Sequence, residues 1–391
     1  MANLILNNQQ DVEDFVRGCT FYATGGGGLP ANGRRSLMSE LEAGRQIVIT
    51  DPSELPDDAI TACPFLMGSI APHTEQVIAE MSGFGFNESV NTEKDRMRKA
   101  IEELEEYLDT KIDAIIPIEL AGANTSAAVA AANEMGKLVL NGDYTGRAIP
   151  EIQQTTPYLH GKKITPISSV DEWGNVCLIK EATNYRVAER LGKLISSGAY
   201  GLAGQAGFVL TGKEAKELII KDTLTECYDL GKLIRTAQEA GLDPVNETLK
   251  SLGGWKILTG VISKIDDDDR LGYYWGTHTI TGELEYEGQI GKVWFKNEHH
   301  VCWVDDKPVA TSPDIIVIVD SVTGEPVANP LAKVGQKVSV LAFSSRPEFK
   351  NQKAIDILGP RYFGFDIDYV PLEQLMKVSG YENSSDGPVI K

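Results

Sequence analysis

The chain has 391 residues, enough for two or three domains whose cores need no covalent cross-links. Lysine and arginine number 37 against 56 aspartates and glutamates; this net charge of −19 argues against nucleic acid or an anionic membrane as a partner. At 42% hydrophobic and 24% charged residues the composition is globular and excludes general disorder.

The first eight residues, Met1 to Asn8, lack the basic and apolar regions of a secretory signal, and no apolar stretch approaches bilayer length. The five cysteines (Cys19, Cys63, Cys177, Cys227, Cys302) are odd in number and form no CxxC pair, which argues against a disulfide framework or a thiolate zinc site. The expectation is a cytoplasmic protein.

Taken in chain order, Val12, Phe15, Val16 and Cys19 have helical spacing, and the pattern stops at the run Gly25 to Gly28. A second helix spans Arg34 to Ala43. Strands follow at Gln46–Thr50 and Ile60–Met67, then a helix after Pro72. Met97, Ile101, Leu104 and Leu108 mark an amphipathic helix. Ala114–Ile118 reads as a strand ending on Glu119, with Pro117 implying an edge or a bulge. A helix opening at Asn124 or Thr125 leads to the strand Leu138–Leu140. Strand, helix and strand make a parallel βαβ unit.

Beyond Pro150 two strands, Ile164–Val170 and Val176–Lys180, precede helices at Thr183–Ser197, Lys213–Lys221 and Thr223–Ala240, whose polar faces read as solvated. From Lys256 to Phe343 strand patterns dominate, separated by Gly- and Asp-rich turns. The expected fold class is α/β plus all-β. A largely parallel N-terminal α/β domain (1–165) is followed by a connector of strands and helices (166–254), an antiparallel β-rich domain (255–381) and a flexible tail (382–391).

In an open parallel sheet ligands bind beyond the carboxyl ends of the strands. Three predicted strands deliver residues there: Ser69 and His73, then Glu119 with Asn124, then Asp143 with Arg147. The set offers a general base, an anion clamp and hydrogen-bond donors. The alternative is structural, with Glu119 pairing with Arg147, Asn124 capping a helix and Asp143 fixing a turn. Gly26, Gly27 and Gly28 follow a helix rather than a strand, so they fit neither a Rossmann nor a Walker loop. They allow close backbone approach to a ligand, or simply end the helix. The histidines show no HxH or HExxH spacing, and His299 and His300 in a strand point to opposite faces, which suits structural roles. The cysteines sit on apolar patterns and are expected to be inert.

The segments Glu119-Leu120-Ala121-Gly122-Ala123-Asn124 and Asp143-Tyr144-Thr145-Gly146-Arg147-Ala148-Ile149-Pro150-Glu151 resemble the S-methyl thiohydantoin desulfurase family. So do Thr24 to Gly28, Asn297-Glu298, Ser312 to Ile316 with Gly324-Glu325-Pro326, and Gly359-Pro360-Arg361 with Phe363-Gly364. The resemblance spans nearly the whole chain, with departures at Leu29, Ala121 and Asn141. It implies an N-terminal α/β and a C-terminal β-rich domain, and a hydrolase of thiohydantoin-like rings in the setting of hydantoin ring-opening enzymes. Under that reading Asp143 or Glu119 activates water, Asn124 with the Gly26, Gly27 and Gly28 amides holds the ring, and Arg147 binds an anionic substituent beside His73. The expected partner is a small-molecule substrate, with a homo-oligomeric assembly and association with a hydantoinase-type protein. Metal and cofactor requirements stay open, as do two rivals, a cyclic amidase and a non-catalytic subunit.

Overall fold

The computed structural model describes residues 3–379; the expected tail at 382–391 lies outside the described residues. A short strand, β1 (Leu4–Leu6), leads into α1 (Gln9–Tyr22), capped by the Asn8 side chain, which accepts from the Asp11 amide. Val12, Phe15, Val16 and Cys19 are all buried, as their spacing requires. Helix α2 (Pro30–Glu42) starts four residues before the expected Arg34, because a proline with fixed φ and no N–H suits a first helical position.

Strands β2 (Ile47–Thr50) and β3 (Ile60–Met67) are followed by α3 (Glu75–Gly83) and by α4 (Glu93–Leu108), which opens with a Thr92–Asp95 capping box. Strand β4 is only Ala114–Ile115, so Pro117 lies past the paired residues and needs neither an edge nor a bulge. Helix α5 (Asn124–Glu134) leads to β5 (Leu138–Leu140), which pairs parallel with β4 through Ala114–Leu138 and Ile115–Val139. This is the predicted βαβ unit.

Next come β6 (Gly142–Asp143), α6 (Thr156–Leu159), β7 (Ile167–Val170), β8 (Val176–Ile179), α7 (Tyr185–Gly198) and β9 (Ala203–Thr211). The first sheet has the order β1-β2-β5-β4-β3-β9-β7-β8. Only its middle, from β2 through β5 and β4 to β3, is parallel; both flanks are antiparallel. The largely parallel domain expected from sequence is therefore a mixed sheet that takes in β7, β8 and β9 from the stretch 166–254, while Ile220–Lys221 pairs with β6 in a separate two-stranded sheet. Strand β9 escapes pattern reading because Ala203, Gly204, Ala206 and Gly207 lack the bulk that marks a strand. At Gly204 a Cβ would come 2.5 Å from the Arg96 backbone, so the missing side chain lets α4 lie directly on the sheet.

Helix α8 (Gly212–Leu218), strand β10 (Ile220–Lys221) and helices α9 (Thr223–Glu239) and α10 (Pro244–Leu252) complete the first half. The second sheet comprises β11 (Trp255–Arg270), β12 (Tyr273–Gly282), β13 (Ile290–Lys296), β14 (Glu298–Val304), β15 (Lys307–Thr311), β16 (Ile315–Asp320) and β17 (Lys337–Phe343). It is antiparallel throughout, in the order β15-β14-β13-β12-β11-β17-β16. Helices α11 (Gln352–Leu358) and α12 (Leu372–Ser379) close the described chain.

The two halves share one core. Val12, Phe15 and Phe21 of α1 pack with Ile315, Val317, Leu341 and Phe343 of the second sheet, and the Phe21 and Phe343 rings meet edge to face at 5.5 Å. That junction holds the end of β4, the glycine run after α1 and the β13–β14 hairpin against one another.

Candidate active site

The glycine run is clamped between the two halves. The Thr24 carbonyl accepts from the His299 amide, that of Gly25 from the Asn329 amide and that of Gly27 from the Asn124 amide. A Cβ at Gly26 would lie 1.9 Å from Oε1 of Glu298, and one at Gly27 2.1 Å from the Ala121 side chain; Gly27 also has φ +68°. The amide of Gly27 donates to the Glu298 carboxyl. The run therefore serves as a close-packed seat for Glu298, with its polar groups largely spent inside the protein.

Around this seat lies a cavity of about 40 Å³ whose polar wall is Glu119, Asn124, Glu151, Glu189, Lys193 and Glu298. That space holds roughly three water-sized groups. Glu119 is delivered by the chain leaving β4, and both of its oxygens accept: Oε1 from Asn124 Nδ2 at 2.6 Å, Oε2 from the Ile149 amide at 2.9 Å. Burial raises its pKa to about 7 against the pull of those hydrogen bonds. Glu298 lies fully buried at the start of β14. Burial first, and then the neighbouring Glu119, push its carboxyl well above the usual range, with Arg147 and Lys193 opposing. Its Oε2 has no hydrogen-bond partner among the described residues.

Lys193 reaches the cavity from α7. Its Nζ donates to the Gly68 carbonyl at 3.0 Å, lies 3.9 Å from Glu189 and sits 4.2 Å from the centre of the Tyr273 ring. Lys296 covers the same ring at 3.9 Å and pairs with Glu151, which also accepts from Tyr362 and Gln153. The Tyr273 hydroxyl donates to Glu189 at 2.8 Å. Two ammonium groups, two carboxylates and a phenol thus form one fully engaged wall.

The structure brings only part of the predicted rim together. Glu119, Asn124, Gly27 and Gly28 line the cavity, and Gly26 touches Glu298 just behind it. Asn124 spends its amide on Glu119 and its Oδ1 on the Leu66 amide, so it positions Glu119 and does not cap α5. Asp143 is placed away from the cavity wall. Its Oδ2 accepts from the Thr145 and Gly146 amides and the Thr145 hydroxyl, and its Oδ1 from Thr223, fixing a turn against the start of α9.

Arg147 is likewise internal. Nε donates to Ala148 O, Nη1 to the Pro313 and Asp314 carbonyls, and Nη2 to Thr24 Oγ1 and His299 O. Every donor direction of its guanidinium is used, so it has none to offer an anion and makes no ion pair with Glu119. His73 lies on the surface against the Tyr200 carbonyl, in a separate depression with Ser69. His299 binds Ile316 O and Asn329, whereas His300 faces Ser312, both deeply buried. Burial pushes the Cys63 and Cys227 thiols far up and Cys302 to about 12. Among the described residues no cluster of three or more His, Cys, Asp or Glu side chains is placed to hold a metal ion, and no helix is long and apolar enough to cross a membrane.

A family model described as the S-Me-THD-like N-terminal domain matches residues 10–181, and one described as the S-Me-THD-like C-terminal domain matches residues 182–372. The chain belongs to the S-Me-THD-like family. A crystal structure of a protein from Chromobacterium violaceum, from the Northeast Structural Genomics Consortium, shares the fold at a TM-score of 0.75 and 18% identity, covering 94% of this chain and 100% of its own. No curated protein matches the chain. The boundary between the two S-Me-THD-like domains falls just before α7, so β9 belongs to the C-terminal family domain yet completes the first sheet.

In this S-Me-THD-like chain, sequence reasoning missed Glu298, Lys193, Glu189 and Glu151 as cavity residues, and Lys296 and Tyr273 as the groups packed behind them. Glu298 appeared only as half of the Asn297-Glu298 motif, with no role assigned to it. Glu189 and Lys193 stand four apart on α7, the spacing of an ordinary solvated ion pair. The available signal was a carboxylate directly before two histidines in an otherwise apolar strand.

Proposed function

We propose that the inner cavity hydrolyses a small thiohydantoin-like ring, with S-methyl thiohydantoin as the representative substrate. The observation that carries this reading is a pair of buried carboxyl groups, Glu119 and Glu298, facing one small cavity at the junction of the two family domains. Two such groups in different surroundings divide into base and acid. Glu119, held by two N–H donors, is the better anion and takes a proton from water as its oxygen adds to C2 of the ring. Glu298, with Oε2 unpartnered, keeps its proton and gives it to the departing sulfur. One C–O bond forms and one C–S bond breaks. Water and the S-methyl ring become hydantoin and methanethiol, with no oxidant or reductant required. Lys193 supplies positive charge beside the tetrahedral intermediate. Asp143, expected from the sequence as an alternative base, does not line the cavity and is tied into the turn against α9.

The test is a screen of the purified chain over hydantoins, thiohydantoins and S-alkyl thiohydantoins, reading thiol or sulfide release and ring opening together. Thiol release with the ring intact supports the reading; ring opening without sulfur loss favours the cyclic amidase. The pH profile carries a further expectation. With Glu119 near 7, kcat/KM should rise through about pH 7 as the base loses its proton, then fall at higher pH as Glu298 loses its own. Glu119→Gln should remove the rising limb from whatever activity remains.

A further inference from the structure

The inner cavity shares Glu151, Glu189 and Lys193 with a second space of about 370 Å³ on their other side. The inner cavity has room for only the reacting edge of a ring. The outer one falls within the range of about 300–1,000 Å³ usual for small-molecule sites. Leu271, at the turn of the long β11–β12 hairpin, and Leu194 of α7 give it an apolar rim and are 76% and 57% exposed. A substrate reaching both spaces would present its reacting edge to Glu119 and Glu298 and lay a substituent in the outer one.

The charge of that substituent follows from Arg186 and Arg190. They stand one helical turn apart on the face of α7 that also carries Lys193 and Leu194, and both line the outer space. Apart from Arg35, which bonds Asn32, and the internal Arg147, the other arginines of this acidic chain are ion-paired, Arg17, Arg45, Arg235, Arg346 and Arg361 among them. Arg186 rests against the Tyr362 ring at 5.9 Å, and neither it nor Arg190 has a carboxylate at ion-pair distance among the described residues. The acids nearby are already committed, Glu151 to Lys296 and Tyr362, Glu189 to Tyr273 and the Ile152 amide. A net charge of −19 repels an anionic ligand unless the mouth of its site is locally positive.

We propose that the outer space is a subsite for an anionic substituent on the ring, with Arg186 and Arg190 pairing with its carboxylate. Arg147 was expected to do this from the sequence; α7 supplies the clamp in its place. The inference rests on the inner cavity being the place where the ring reacts.

The experiment compares an S-methyl thiohydantoin bearing a carboxyalkyl chain with its neutral amide, on the wild type and on Arg186→Gln, Arg190→Gln and the double variant. The wild type is expected to favour the acid in kcat/KM. The double variant should cut the acid-to-amide ratio at least tenfold, chiefly through KM, and added salt should shrink the wild-type preference. A ratio unmoved by the double variant overturns the proposal, as does a wild type that prefers the amide. A wild type that turns over neither compound counts against the inner-cavity reading, and calorimetric titration of the same pair then decides the subsite. Tighter binding of the acid, lost in the double variant, supports it; equal or absent binding of the two overturns it.

Discussion

Glu298→Gln is expected to lower turnover by a factor on the order of 100 to 10,000 while leaving the protein at least as stable as wild type above pH 7. Glutamine keeps the shape and can still accept from the Gly27 amide, but has no acidic proton to deliver to sulfur. The stability arm follows from linkage. In the unfolded chain a glutamate titrates near about 4.3, and in the fold Glu298 is held well above that. The folded state therefore binds the proton more tightly. Its contribution to stability is complete below the unfolded pKa and is lost as pH rises through the folded one. Glutamine never ionises and escapes that loss. Melting temperatures at pH 5 and pH 8 should thus show a difference between wild type and Glu298→Gln that shifts in the variant's favour at the higher pH. A structural glutamate would give the reverse: a less stable variant with normal activity per folded molecule.

Arg147→Met is expected to cost about 3–5 kcal/mol of folding stability, the scale of stripping one partner from a buried charged network. The guanidinium ties Thr24, His299 and the Pro313–Asp314 carbonyls to its own loop, and so joins the glycine run of the first half to two segments of the second. Methionine fills part of the volume but leaves those oxygens buried without a donor. Arg147→Lys should also be destabilised, since one ammonium cannot serve the same spread of acceptors. Urea unfolding of the two variants reads both effects. A lysine variant with unchanged midpoint but weakened binding of anionic substrates would return Arg147 to the anion-clamp role expected from the sequence.

The fold was legible wherever a pattern was local. The α1 spacing and the βαβ unit depend on residues within about thirty positions, and both stand in the structure. Strand β9 was invisible because its small residues serve close packing against α4 rather than side-chain burial, so they read as loop. Helix α10 was missed although Asp243-Pro244 carries a cap and a first-turn proline; nine residues gave too short a period to notice.

The same logic divides the site. That Glu119 and Asn124 lie side by side was legible because a strand end and a helix start place them together within six residues. Glu298 comes from the other half of the chain and meets Glu119 only after α1 docks on β16 and β17, a relation no local pattern encodes. Asp143 and Arg147 misled for the opposite reason. Polar residues at a strand end look alike whether they face a ligand or, as here, tie a turn and a domain junction.

The most direct test of the carboxylate pair as the hydrolytic centre is a single-turnover reaction of S-methyl thiohydantoin in ¹⁸O-water, following methanethiol release and the label together. The expected result is one ¹⁸O in the C2 carbonyl of an intact hydantoin ring, formed in step with the thiol, and no such product from the Glu119→Gln, Glu298→Gln double variant. Label appearing at the wild-type rate in that double variant, or thiol release without label at C2, would contradict it.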